Sequence, residues 1–240
     1  MGIIIKQGLK ASLASYIGVL IGAFNNLFLF PLYLGKEGIG LINIIYASAV
    51  LFLPVLQLGF PTSLVKYFPI FRDKPYFSSF LTYALFLPAV IYIVFILLWP
   101  WIINVFEIIF TKNAKLIYEN IFWVLPLLGI LIFLNLFEVF AKVNYRIAVP
   151  VFARTVFWRI LQTILVILIG SGVFNQDSLV PLYVATWGAV FLFISIYAIK
   201  TGKLTFSWTN SFIKSSFFKE FNKFSVFVIL LAAGGVLVQR

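Results

Sequence analysis

At 240 residues the chain is 63% hydrophobic and only 10% charged, too little polar material to coat a water-soluble globule, so the lipid bilayer must be its solvent. Histidine and cysteine are both absent, which removes the commonest general base, the commonest zinc ligand, any disulfide and any thiolate metal site. The net charge of +11 follows the loops, so it speaks to topology and not to nucleic acid; no metal or other cofactor is expected.

No charge occurs between Lys10 and Lys36, 25 residues, or between Glu37 and Lys66, 28 residues, and either run exceeds the roughly 20 apolar residues that cross a bilayer core. The break Gly35-Lys36-Glu37-Gly38 is so short that the two helices must form an antiparallel hairpin. The first span is expected at about residues 11–34. Within it, Gly18 and Gly22 form a small-xxx-small step that admits a neighbouring backbone, and Asn25 and Asn26 need protein or water as partners. The second span, about 39–67, carries Pro54, Gln57, Gly59 and Pro61 in its second half, which predicts a bent or interrupted helix. The third span is expected at 77–98, closed by Trp99-Pro100-Trp101, and the fourth at 121–141. The fifth ends near 169 and the sixth near 200.

Cytoplasmic loops hold the excess of Lys and Arg. The N-terminus and the second, fourth and sixth loops carry 14 of the 18 basic residues, against 3 in the first, third and fifth. This unbroken alternation predicts six spans woven through one membrane, the N-terminus in the cytoplasm and the location the bacterial inner membrane. Residues 1–200 are thus expected to form an all-α, polytopic six-helix lobe. Residues 201–223, where Phe206, Ile213, Phe217 and Phe221 alternate with Lys203, Lys214, Lys219 and Lys223, predict a cytoplasmic amphipathic linker lying on the inner leaflet. A seventh span begins at Phe224, but 16 uncharged residues before Arg240 are too few to cross. The chain is therefore read as a fragment, 224–240 being a truncated seventh transmembrane helix. Residues 5–27 laid over 218–240 match at Lys6, Lys10, Ser12 and Gly22 with Lys219, Lys223, Ser225 and Gly235, as parallel repeats of a two-lobed transporter would.

Three stretches carry a resemblance. Leu32-Tyr33-Leu34-Gly35-Lys36-Glu37-Gly38-Ile39-Gly40 resembles the turn after the first span of bacterial polysaccharide-repeat flippases. Leu56-Gln57-Leu58-Gly59-Phe60-Pro61-Thr62-Ser63-Leu64-Val65-Lys66-Tyr67 is similar to their ending of the second span, and Phe218-Lys219-Glu220-Phe221-Asn222-Lys223-Phe224 to the basic lead-in to their seventh. These proteins belong to the multidrug, oligosaccharidyl-lipid and polysaccharide flippase superfamily. The resemblance implies a protein of twelve to fourteen spans in two lobes, of which this chain is the N-terminal one and the C-terminal lobe the missing partner. It also implies carriage of undecaprenyl-pyrophosphate-linked oligosaccharide from inner to outer leaflet by alternating access.

A lipid-borne pyrophosphate needs cationic donors, and its sugars need amides and aromatic faces. Arg154, Arg159 and Gln162 at the start of the fifth span are candidates for the pyrophosphate; the competing account is that both arginines snorkel to headgroups. Asn25, Asn26 and Gln57 are candidates for sugar contacts, or else bond helix to helix. Asn135, Glu138 and Lys142 share one face of the fourth span, where Glu138 and Asn135 would bind a coupling ion, or Glu138 simply pairs with Lys142. The alternatives to a flippase are a drug exporter of the same superfamily, which commonly has an acidic residue deep in the first span, and a polysaccharide polymerase or acyltransferase. The enzyme reading is the weaker for want of histidine and of charged outer loops.

Overall fold

The computed structural model describes residues 2–109, 115–202, 207–208 and 210–238. The described residues are 89% helical with no strands, and among them six helices are long and apolar enough to cross a bilayer: Ile5–Tyr33, Gly35–Leu56, Phe77–Asn104, Ile117–Val143, Ala148–Gly170 and Gln176–Gly202. The chain is an all-α polytopic membrane protein. The first span is longer than its uncharged run, because the helix begins at Ile3 and carries Lys6 and Lys10 in its opening turns.

The fourth span is the hub. Thirteen of the 20 residues of Val124–Val143 are buried, because the second, third, fifth and sixth spans all pack on it. The first span buries Ala14, Gly18, Gly22 and Asn25, the spacing of one helix face, and Phe30 beyond the π turn, and rests on the fifth span.

The pairings show how the helices weave. Gln7 accepts the backbone N–H of Ala148, Gly18 faces Thr155, Gly22 faces Arg159, Asn25 meets Thr163 and Tyr33 covers Gly170. The partner numbers rise together, so the first and fifth spans are parallel. Gly38 beside Leu179 and Tyr46 stacked on Trp187 at 5.7 Å make the second and sixth parallel in the same way. Gly188 over Ile130 and Phe137 against Phe191 do so for the fourth and sixth. Odd spans run one way and even spans the other.

The second span breaks where the sequence predicts. The helix Gly35–Leu56 takes Pro54 within it and stops at Gln57; Leu58 and Gly59 then adopt positive φ, 53° and 65°, before the helix Phe60–Phe71. At the break the Gln57 side chain reaches across to the fourth span, its Nε2 donating to the carbonyls of Leu131 and Ile132 at 3.4 and 3.3 Å.

Residues 201–223 differ from the expectation of a separate interfacial helix. A short helix, Asn210–Ile213, is followed by one unbroken helix Ser216–Val238, so residues 216–223 are the first turns of the seventh helix. Phe212 and Phe221 are fully buried, packed on Phe71 and Phe80, with ring centroids 5.7 Å apart for Phe71–Phe212 and 5.3 Å for Phe80–Phe221. Phe217 and Phe221 of the apolar face that suggested lipid pack against the protein's own aromatic rings, while Ile213 is exposed. Lys203 and Phe206 of that expectation lie outside the described residues.

Candidate functional site

Four of the eight candidate side chains stand where the helices are irregular, and Asn135, Glu138, Arg159 and Gln162 lie in regular helix. Asn25 and Asn26 lie in the π-helical turn Asn25–Leu29, Arg154 in a second one, Ala153–Phe157, and Gln57 at the break of the second span. A π turn inserts one residue and rotates the following face, so such turns concentrate at functional positions.

Arg154 sits in a complete socket. Its Nη1 donates to Asn135 Oδ1 at 2.8 Å and to both carboxylate oxygens of Glu138 at 3.3 Å, and its guanidinium carbon lies 6.0 Å from the ring centre of Trp187. Trp187 is itself stacked on Tyr46 and meets Trp158 at a tilt, ring centroids 4.2 Å apart. Glu138 is buried and also takes Lys142 Nζ at 3.1 Å, so one carboxylate serves two cations. This is the helix-internal ion pair read from the i, i+4 spacing, enlarged by Arg154. A coupling ion at Glu138 and Asn135 would have to displace both cations.

Arg159 is the contrasting case. It stands at the midpoint of the span Ala148–Gly170, half-buried, and its guanidinium lies across Gly22 of the first span: a Cβ at residue 22 would be 2.6 Å from Cζ. No described residue forms an ion pair or a hydrogen bond with its guanidinium. Gln162, one turn on, is buried at 6% exposure with no hydrogen-bonding partner for its side chain among the described residues. Both arginines lie on the helix Ala148–Gly170, which is long and apolar enough to cross a membrane. Removing them from the fourth loop leaves 12 basic residues at one set of loops against 3 at the other, so the charge alternation stands without them.

The amides divide. Asn25 is buried, donates to the Arg159 carbonyl at 3.2 Å and accepts from Thr163 Oγ1 at 2.9 Å; it bonds helix to helix, as Gln57 does. Asn26 is exposed and remains open to a ligand. It belongs to one flank of the first helix, with Ser12, Ser15, Tyr16, Val19 and Ala23, while Leu13, Ile17, Leu20 and Phe24 form the other flank. The polar flank borders a groove of about 380 Å³ lined by Ala11, Ser12, Ser15, Tyr16 and Val151. Sequence reasoning passed over this flank, although Ser12, Tyr16, Ala23 and Asn26 repeat at helical spacing. It also missed Asn43, exposed on the second span eight residues from Gly35, about as deep as Asn26 at nine by the ~1.5 Å rise per residue.

No family model matches the chain, and neither does any curated protein or solved structure.

Proposed function

We propose that the chain is the N-terminal lobe of a transporter that carries an oligosaccharide on a polyprenyl pyrophosphate from the inner to the outer leaflet of the bacterial inner membrane. The observation that carries this reading is Arg159, a cation at mid-membrane with no acidic partner among the described residues. An intramembrane charge of this kind marks a ligand path. Glu138, the carboxylate buried within these spans, is already matched by Arg154 and Lys142, so the helices hold an excess of positive charge that an anion would neutralise.

The guanidinium suits pyrophosphate because its planar fork presents parallel N–H donors to two oxygens at once. Gln162 adds an amide one turn away, and the exposed amides Asn26 and Asn43 suit hydroxyl-rich sugars. A second, C-terminal lobe would cover these amides, since amides facing hydrocarbon lack partners. A drug exporter moving organic cations fits less well, because Arg159 would repel its cargo. The chain is read as a carrier and not as an enzyme.

The test is translocation of a fluorescent polyprenyl-pyrophosphate oligosaccharide by the full-length protein in proteoliposomes. Arg159→Gln is expected to slow transport by about tenfold to a hundredfold, the worth of charge-assisted hydrogen bonds in a dry site, and Arg159→Lys to restore part of the rate. Wild-type transport by Arg159→Gln would overturn the assignment.

A further inference from the structure

At the end of the molecule where the first helix begins, a second cluster of cations has no part in the mid-membrane site. Lys6 and Lys10 are one helical turn apart, and Arg146 reaches the same place from the turn between the fourth and fifth spans. Together with Ile3, Gln7, Asn144 and Tyr145 they line an open pocket of about 340 Å³. No carboxylate contributes to that lining, and none of the three cations forms an ion pair with a described residue.

The pocket is built and not a chance meeting of long side chains. The turn is pinned by backbone bonds from Arg146 N to Ala141 O at 3.0 Å and from Tyr145 N to Lys142 O at 3.0 Å. Tyr145 takes a left-handed φ of 60°, and Asn144 Nδ2 closes the fourth helix by donating to Phe140 O at 2.8 Å. Gln7 Oε1, accepting Ala148 N–H at 3.1 Å, fixes the first helix against this turn. Lys6 and Lys10 are therefore held opposite Arg146, with apolar Ile3 at the rim. Three like charges converging without an acid repel one another unless an anion joins them. At the water-facing end of a spanning helix, the anion in highest local concentration is a lipid phosphate.

We propose that this pocket holds the phosphate of an anionic bilayer lipid, with Lys6, Lys10 and Arg146 as its ligands. The site stands apart from the transport reading, since neither Arg159 nor any other mid-membrane candidate lines it.

Native mass spectrometry of the full-length protein in neutral detergent, titrated with dioleoylphosphatidylglycerol or dioleoylphosphatidylcholine, tests the proposal. Wild type is expected to retain the anionic lipid over the zwitterionic one by at least about tenfold, given a factor of roughly five per basic residue near an anionic headgroup. The variant Lys6→Gln, Lys10→Gln, Arg146→Gln should lose that preference, while Lys6→Arg, Lys10→Arg, Arg146→Lys and the remote Lys200→Gln, Lys214→Gln keep it. Unfolding in lipid-free detergent reports whether each variant is folded. Equal retention of the two lipids by wild type, or an unchanged preference in the glutamine variant, overturns the site. Displacement of the lipid by equimolar inorganic phosphate or pyrophosphate overturns the lipid assignment. Failure of Arg159→Gln to affect transport would leave these results unchanged.

Discussion

Arg159 lies across Gly22, its Cζ where a side chain at residue 22 would begin, while Gly18, one turn earlier, faces the carbonyl oxygen of Thr155, 2.7 Å from the position of a Cβ. The two glycines of one small-xxx-small step thus do different things. At Gly18 the obstacle is backbone, which cannot move without parting the first and fifth spans. At Gly22 it is the end of a flexible side chain. Gly18→Ala is expected to destabilise the protein by about 1–3 kcal/mol, the cost of overpacking, and Gly22→Ala by roughly half that or less because the guanidinium can swing aside. Thermal unfolding in detergent measures both. Gly22→Ala should nevertheless weaken transport, since it moves Arg159.

The Arg154, Glu138 and Lys142 cluster predicts an asymmetry. Glu138→Gln leaves two cations without their counter-charge, and breaking a buried pair from one side costs about 3–5 kcal/mol; with Arg154 and Lys142 partly solvated, about 2–3 kcal/mol is the expected loss. The double variant Glu138→Met, Arg154→Met should recover most of it, because well-packed apolar residues replace buried ion pairs at little cost. Denaturant unfolding of the two single variants and the double gives the coupling. If Glu138 bound a coupling ion instead, the double variant would fold yet fail to transport.

Two glycines with the same backbone conformation should respond differently. Gly35 and Gly59 have φ of 64° and 65°, but a Cβ at Gly35 meets nothing within 4 Å, whereas at Gly59 it lies 2.7 Å from Ser225 O and 2.8 Å from Val228 Cβ on the seventh helix. Gly35→Ala is expected to cost only the left-handed strain of about 1–2 kcal/mol. Gly59→Ala should add an overpacking cost of about 1–3 kcal/mol and shift the seventh helix away from the second. Unfolding midpoints compare the pair, and a crosslink between residues 63 and 225, whose hydroxyls are 2.7 Å apart, reports the shift.

The absence of cysteine makes topology directly testable. Single cysteines at Gly35 and Ser171 are expected to react with a membrane-impermeant maleimide in intact cells, and those at Lys74 and Arg146 only after permeabilisation. Reaction of Lys74→Cys from outside would reverse the orientation read from the loop charges.

The sequence exposes what depends on neighbours along the chain. The spans follow from charge-free runs, the Gly18 and Gly22 step from its spacing, and the break of the second helix from Gln57, Gly59 and Pro61 standing together. What was hidden depends on partners far away in sequence. Arg154 and Arg159 are five residues apart on one helix, yet one is matched by Glu138 and the other by no described carboxylate, and nothing local distinguishes them. The Phe217 and Phe221 face has the period of a membrane-surface helix, but periodicity states that a face is buried and not what buries it. Here the cover is aromatic side chains from the second and third spans.

The burial of the fourth span in the middle of its neighbours also bears on synthesis. Residues 3–33 leave the ribosome long before Thr155, Arg159 and Thr163, which complete the first helix, so that helix must dwell in lipid with Asn25 unbonded until the fifth arrives. Nascent chains stalled ahead of Ala148 should therefore be held by the insertion machinery and be open to quality-control proteolysis, with protection gained in one step once the fifth span is released.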